Sequence, residues 1–144
     1  MKTYVLIVSE RFPQTHNRKG ELTYLPTKIK NGEKIHTIRG NYELWEKRIT
    51  DVKNGLARLS VRVWEGKPYK SKQIEIFEFN SETGIDIQKL EDPTNFVYAN
   101  VNGKYINWSE IAKNDGLSFN DFCNWFKVRS NKPMAIIHFT NKIY

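Results

Sequence analysis

Short segments in which apolar and polar residues alternate narrow the possible folds of this chain, because such alternation buries one face of a β-strand and exposes the other. Residues 56–64 alternate most regularly. A turn-like composition at 65–68 and an apolar run at 74–79 follow, which predicts an antiparallel hairpin. The pair Asn102–Gly103 predicts a second hairpin, whose two strands run from Phe96 to Asn107.

Helices are expected between these strands, where apolar residues recur every three or four positions. The segment 41–55 has this spacing, with Asn41 able to cap its start and Gly55 able to end it. Further helices are predicted at 26–31, at 109–113 and from Phe119 to about Val128, and further strands at 4–8, 85–90 and 134–139. The sequence therefore predicts one α+β domain, residues 1–144, with a mostly antiparallel sheet and three or four helices.

The net charge of +7 is concentrated in the first half of the chain. Residues 1–72 contain 16 Lys and Arg against 7 Asp and Glu, whereas residues 73–144 contain 7 against 9. A basic half favours a polyanionic partner, because contacts with phosphates release condensed counterions and speed the encounter. A basic surface without such a partner fits the composition equally well.

Several classes of protein lack support in the sequence. Cys123 is the one cysteine, so no internal disulfide forms, and a reduced, cytoplasmic setting is expected. No apolar run approaches the roughly 20 residues that span a bilayer, so we expect no membrane partner. His16, His36 and His138 show no zinc-ligand spacing with this cysteine, and there is no glycine-rich phosphate loop. We therefore expect neither a metal nor another cofactor.

A concentration of polar and cationic side chains begins at Lys34. If the segment is extended, Thr37 and Arg39 point to one side while Lys34 and His36 point to the other. A bend near Ile35 would bring Lys34 back beside Thr37. A lysine, a hydroxyl and a guanidinium together suit a phosphate, a carbonyl oxygen or the polar edge of a base. His36, on the opposite face from Thr37, is expected to be a structural histidine.

A second group of cationic and aromatic side chains is predicted at the turn after residue 64 and on the strand before it. Its members are Arg58, Arg62, Lys67, Tyr69, Lys70 and Lys72. Lysines interleaved with an aromatic ring on a hairpin suit a nucleic-acid backbone, although an ordinary solvated turn has the same composition. Tyr42, Trp45 and Trp64 are further candidates for stacking on a base, with core packing favoured for Trp45.

Four residues of segment 32–39 resemble the signature of the ASCH domains, small members of the PUA-like superfamily. The signature reads Gly, any residue, Lys, two variable residues, Thr, any residue, Arg, and the matching residues are Gly32, Lys34, Thr37 and Arg39. Residues 111–126, with Asp115 before a short turn and a helix, look like a late helical segment of that family. The resemblance implies a PUA-like β-barrel of mostly antiparallel strands with three or four flanking helices, and a ligand cleft between barrel and helices.

The resemblance also implies a protein that binds RNA or a modified nucleoside, with Lys34 and Arg39 in the cleft and the basic turn against the nucleic-acid backbone. An enzyme is the alternative, because some small ASCH proteins are amidohydrolases that remove an acyl group from the exocyclic amine of cytidine. The corresponding residues are Lys34 as base, Thr37 as nucleophile and Asp115 as proton shuttle, where those enzymes have glutamate. A protein-interaction module is a third alternative, and the sequence leaves the oligomeric state open.

Overall fold

The computed structural model describes residues 1–91, 97–126 and 132–144, which form two β-sheets and four helices. The strands are β1 Lys2–Ile7, β2 His36–Arg39, β3 Ala57–Trp64, β4 Gln73–Phe79, β5 Asp86–Glu91, β6 Tyr98–Val101, β7 Lys104–Asn107 and β8 Met134–His138. The helices are α1 Leu25–Lys30, α2 Tyr42–Lys53, α3 Trp108–Asn114 and α4 Phe119–Trp125. These elements lie within a few residues of the predicted ones. The predicted strand start at Phe96 and helix end near Val128 lie outside the described residues.

The two sheets are separate. The first has the order β1-β3-β4, with β1 parallel to β3, and the second has the order β2-β8-β5-β6-β7, in which every neighbouring pair is antiparallel. In the described part of the chain no strand ladder joins one sheet to the other. The prediction of a closed PUA-like β-barrel is therefore wrong: this is an α+β fold with two open sheets.

The physical reason lies at the edge of β1 that faces away from β3. There the carbonyl oxygen of Ile7 accepts a hydrogen bond from the Arg39 guanidinium, at 2.5 Å, rather than from a backbone amide of β2. Alternation of apolar and polar residues predicts which face of a strand is buried, but it does not decide which strand edges pair. At this carbonyl of β1 the hydrogen-bond partner is thus a side chain and not a neighbouring strand.

Both sheets share one hydrophobic core with α2. Trp45, Ile49 and Val52 are the buried residues of this helix, and α2 contacts β3 of the first sheet as well as β5 and β8 of the second. Phe79 at the end of β4 stacks on Phe139 after β8, with ring centroids 5.1 Å apart. Each fully buried side chain of this size contributes about 1.5–3 kcal/mol, so the core compensates for the missing ladder between the sheets.

The helices are short, and a side chain caps the start of α2, α3 and α4. The Asn41 side chain accepts from the backbone N–H of Leu44 at the start of α2, and the Ser118 hydroxyl accepts from that of Asp121 at the start of α4. Of the helices in the described residues, α2 is the longest, with 12 residues. Within the described ranges, none of the helices combines the length and the apolar composition needed to cross a membrane.

Candidate functional site

A cavity of about 400 Å³ opens where the end of β1 faces β2. One part of its wall is polar, with Ser9, Lys34, Thr37, Arg39 and Asp115. Another part is apolar, with side chains that include Leu25, Leu117, Trp125, Phe126 and Met134. The structure thus brings the three predicted catalytic residues, Lys34, Thr37 and Asp115, into one cavity together with the predicted binding residue Arg39.

Lys34 and Asp115 are in direct contact although they are distant in sequence. The Lys34 Nζ donates to the Asp115 carboxylate Oδ1 and to its backbone oxygen, both at 2.9 Å. Both side chains are almost fully buried, with 3% of Lys34 and 4% of Asp115 exposed. In a site of low dielectric such a pair is held closely, because neither charge has water as an alternative partner.

Backbone hydrogen bonds explain how these two residues meet. Gly32, with φ of +81°, ends α1, and the N–H of Lys34 then donates back to the carbonyl of Lys28 at 3.0 Å. The N–H of the next residue, Ile35, donates to the carbonyl of Asn114 at the end of α3, at 2.9 Å. The segment before β2 is therefore joined to the C-terminal end of α3, which Asp115 directly follows.

Gly116 allows this close approach. Its φ is +82°, and a Cβ atom at this position would lie 3.1 Å from the Cβ of Lys34 and 3.1 Å from Cδ2 of Leu25. Its carbonyl oxygen also accepts from the Nζ of Lys28 at 2.8 Å. Glycine suits this position, because the positive φ disfavours other residues and an added Cβ would press against Lys34 and Leu25.

The buried pair has shifted proton affinities. Burial lowers the pKa of the Lys34 ammonium below its usual value, and the Asp115 carboxylate opposes that change. Burial alone would raise the pKa of Asp115, but the charge of Lys34 and the hydrogen bond from His36 outweigh it, so this pKa lies below its usual value. The carboxyl group is thus held ionised beside a lysine that releases its proton more readily than an exposed one.

Thr37 and Arg39 form the other polar part of the wall. The Arg39 Nη1 donates to the Thr37 hydroxyl oxygen and to the carbonyl of Ile38, each at 2.8 Å. Burial lowers the pKa of the Arg39 guanidinium, which nonetheless stays charged at neutral pH. Among the described residues, the partners that hydrogen-bond to this guanidinium are all neutral oxygens. Since the Thr37 oxygen accepts from Arg39, its own hydrogen is available to a ligand.

His36 lies behind the cavity wall rather than in it. Its ring is fully buried, with Nδ1 3.2 Å from Oδ1 of Asp115 and Nε2 2.6 Å from the hydroxyl of Tyr144. Both ring nitrogens thus have partners, as expected for a satisfied histidine. Its contact with Asp115 was not predicted, because the sequence places the two residues in separate elements.

The aromatic part of the cavity wall was also missed. Trp125 and Phe126, at the end of α4, line the cavity, whereas the predicted stacking residues Tyr42, Trp45 and Trp64 do not. Trp45 is buried in the core, as predicted. Both rings pack against the core as well as lining the cavity, so the sequence contained no signal that distinguished them from ordinary core residues.

The predicted phosphate contacts on β3 have partners within the protein. Arg58 Nη1 lies 2.6 Å from Oε1 of Glu75 and 3.6 Å from Oε2 of Glu78. Arg62 donates to the Ser60 hydroxyl at 2.8 Å and to the Gln73 side chain at 3.1 Å. Neither arginine lines the cavity. The positive charge of Arg58 is therefore largely offset by two carboxylates.

The remaining predicted binding residues lie on the turn between β3 and β4. Lys67, Lys70 and Lys72 are exposed, and Tyr69 is 90% exposed, with its ring 5.2 Å from that of Trp64. Because β1 and β3 run parallel, this turn lies at the end of the sheet where β1 reaches the cavity. The turn and the cavity thus belong to the same end of the first sheet.

No family model, no curated protein and no solved structure matches the chain. The resemblance to the ASCH domains therefore stays a prediction that depends on Gly32, Lys34, Thr37 and Arg39. Within the described residues, no group of three or more His, Cys, Asp or Glu side chains is arranged to hold a metal ion.

Proposed function

We propose that this protein is of the ASCH type and recognises RNA or a modified nucleoside, whose base enters the cavity lined by Lys34, Thr37 and Arg39. The observation that carries the proposal is the convergence of these three residues and Asp115 on one cavity. Its volume of about 400 Å³ falls in the range of small-molecule sites, which is about 300–1,000 Å³.

The hydrogen-bonding groups in the cavity suit the polar edge of a base. Two of the three Lys34 ammonium protons point to Asp115, so the third is left for a ligand. The Thr37 hydroxyl supplies a second donor, and the Asp115 carboxylate supplies an acceptor. A cytosine-like edge carries a carbonyl acceptor and an exocyclic amine, and Trp125 and Phe126 offer aromatic surface for its ring.

The exposed turn between β3 and β4 supports RNA rather than a free nucleoside as partner. Within the described residues, Lys67, Lys70 and Lys72 form no salt bridge with a carboxylate, and they surround the exposed ring of Tyr69. An RNA strand whose base occupies the cavity would have its phosphate backbone close to the end of the first sheet that carries this turn. Lysines contact phosphates without regard to sequence, so this turn contributes affinity and the cavity contributes selectivity.

Titration of the protein with cytidine, with cytidine acylated on its exocyclic amine and with a short single-stranded RNA tests the proposal. The variant Thr37→Val keeps the shape of the side chain but removes its hydroxyl. We expect base binding to weaken about tenfold, the value of one hydrogen bond of about 1.4 kcal/mol. Thr50→Val, on the exposed face of α2, is the matched control. Failure of all three ligands to bind would contradict the proposal.

Hydrolysis of an acylated amine is the second candidate function, and the contact between Lys34 and Asp115 favours it. Lys34 in its neutral form takes the proton of Thr37, whose oxygen then bonds to the acyl carbon. The bond between that carbon and the exocyclic nitrogen breaks, and the proton passes from Lys34 through Asp115 to the leaving nitrogen. Water then hydrolyses the acyl-threonine, which releases a carboxylic acid and restores Thr37.

Chromatography of acylated cytidine incubated with the protein tests this candidate. Release of cytidine by the wild-type protein, together with loss of release in Lys34→Ala, supports it. Because Lys34 is buried, circular dichroism of the variant is compared with that of the wild type to exclude unfolding, and Lys30→Ala on the exposed surface of α1 is the control. No release by the wild-type protein leaves binding without turnover as the function of the cavity.

A further inference from the structure

Besides Lys34, a second set of buried polar groups reaches Asp115. We propose that Tyr144 is a positioning residue for the Asp115 carboxylate, and that it acts through the imidazole of His36. The proposal deepens the proposed function, because Asp115 is the acceptor group of the cavity. Tyr144 contacts Asp115 only through this ring: its hydroxyl lies 2.6 Å from His36 Nε2, and His36 Nδ1 lies 3.2 Å from Asp115 Oδ1.

The direction of each hydrogen bond follows from the groups involved. The Asn114 Nδ2 can only donate, and it does so to the Tyr144 hydroxyl oxygen at 3.0 Å. At the other end the Asp115 carboxylate can only accept, so His36 Nδ1 carries a proton, and Nε2 of the neutral ring accepts the hydrogen of the Tyr144 hydroxyl. A neutral imidazole then carries its proton on Nδ1 and donates it to Asp115. The other tautomer would set the lone pair of Nδ1 against a carboxylate oxygen, which is repulsive.

This tautomer fixes the rotation of the carboxylate. Lys34 and His36 both donate to the same atom, Oδ1 of Asp115. In the described part of the chain, no hydrogen bond involves the other oxygen, Oδ2. With two donors on one oxygen, the carboxylate has one favoured orientation, and Oδ2 is the atom left to accept from a ligand.

Tyr144 itself is held by a further buried group. Its backbone N–H donates to Oε1 of Gln88 at 2.9 Å, and its carbonyl oxygen accepts from Nε2 of the same residue at 3.1 Å. Oε1 of Gln88 also accepts from His138 Nε2 at 2.9 Å. His138 Nδ1 is buried without a partner among the described residues, as expected for a ring with its single proton on Nε2. Gln88 thus fixes the backbone from which the Tyr144 hydroxyl reaches His36.

Nitrogen-15 NMR of the histidine rings in the ligand-free protein gives the first test. We expect the proton of His36 on Nδ1 and none on Nε2. A proton on Nε2, or one on each nitrogen, would overturn the proposal. This measurement needs no ligand, so its result stands even if neither RNA nor a nucleoside binds, and the two proposals can fail separately.

The variant Tyr144→Phe gives the second test, because it removes the hydroxyl and leaves the ring and the backbone contacts with Gln88. We expect the His36 Nδ1–H proton to exchange with solvent at least tenfold faster and the affinity for the nucleoside to fall about tenfold. Tyr105→Phe makes the same chemical change on an exposed side chain of β7 and should alter neither value. A loss of stability in Tyr144→Phe with unchanged exchange at His36 would assign Tyr144 a merely structural role.

A third variant separates positioning from packing. In His36→Asn the amide Nδ2 takes the place of Nδ1 as a donor to Asp115, and it has no tautomer for Tyr144 to select. We therefore expect Tyr144→Phe to change nucleoside affinity less than twofold in the His36→Asn background. An equal loss in both backgrounds would show that Tyr144 does not act through His36.

Discussion

Lys34 and Asp115, 81 positions apart in the sequence, form a buried ion pair in which Nζ and Oδ1 are 2.9 Å apart. The pair joins the segment before β2 to the turn after α3, and it carries the two charges that the proposed chemistry needs. Burying an ion pair contributes little net stability, because desolvation of both charges opposes their attraction. Both residues line the cavity, so the pair lies where a bound ligand would meet it.

Removing one partner of this pair is expected to be costly. In Lys34→Met the side chain keeps its approximate volume but leaves the Asp115 carboxylate buried without its cation, which should destabilise the fold by about 3–5 kcal/mol. Urea unfolding measures this change. Lys47→Met breaks the pair Lys47–Asp51, whose lysine is 68% exposed, and should cost less than about 1 kcal/mol. Similar losses in the two variants would contradict the buried ion pair.

The sequence predicted elements better than it predicted their assembly. The alternation at 56–64 and the Asn102–Gly103 pair involve only residues close in sequence. The structure has the predicted hairpin at each of these two places. Pairing between sheet edges depends on residues distant in sequence. The hydrogen bond from Arg39 to the carbonyl of Ile7 at the open edge of β1 could therefore not be predicted from neighbouring residues. The barrel was inferred from the resemblance alone and was wrong.

The same distinction applies to the candidate site. Lys34, Thr37 and Arg39 lie within six residues of one another, so their proximity follows from local geometry. Asp115 was associated with them only through the resemblance, and the long-range bond from Ile35 N–H to the Asn114 carbonyl explains the contact physically. Trp125 was missed because an aromatic residue on an amphipathic helix fits the core equally well.

Gly116→Ala should destabilise the protein more than a positive φ alone explains. Gly116 and Gly20 both have φ of +82°, but only at Gly116 would the new Cβ meet other atoms, at 3.1 Å from Lys34 and Leu25. We expect Gly116→Ala to cost about 1–3 kcal/mol more than Gly20→Ala, because overpacking adds to the backbone strain. Urea unfolding of both variants measures the difference, and equal losses would contradict the close approach at residue 116.

Stability should fall with acid in two separate ranges of pH. Burial lowers the pKa of His138 to about 4, well below its usual value, so the unfolded chain binds this proton first as the pH falls. Stability is therefore complete above pH of about 6.5 and decreases towards pH 4 by about 1.4 kcal/mol per pH unit. The lowered pKa of Asp115 adds a further loss below about pH 4.

Unfolding free energies measured from pH 8 to pH 3 test this dependence. In His138→Gln the dependence of the unfolding free energy on pH between about pH 6.5 and 4 should be smaller by about 1.4 kcal/mol per pH unit, because one proton fewer is taken up on unfolding. In Asp115→Asn the pH dependence should change only at lower pH. An unchanged slope in His138→Gln would show that the ring also takes up a proton in the folded state.

The turn between β3 and β4 should control the salt dependence of RNA binding. Replacing Lys67, Lys70 and Lys72 together by Gln should reduce the slope of log K against log salt by about 0.7 for each phosphate of a single strand that the variant no longer neutralises. Affinity for a free nucleoside should not change. The control replaces three exposed lysines elsewhere, Lys104, Lys113 and Lys142, and alters the net charge equally. An equal reduction in both variants would assign the effect to net charge rather than to this turn.

Trp125 should contribute stacking to the recognition of a base. Its ring lines the cavity and is itself held by Phe12, with centroids 5.6 Å apart, and by His16, at 5.9 Å. A base stacked on an aromatic ring gains about 1–3 kcal/mol, so Trp125→Leu should weaken the binding of a free nucleoside by a factor between about 5 and about 150. Trp64→Leu removes a tryptophan outside the cavity and should leave this affinity unchanged. Calorimetric titration with cytidine compares the two variants, and equal affinities would place the base away from Trp125.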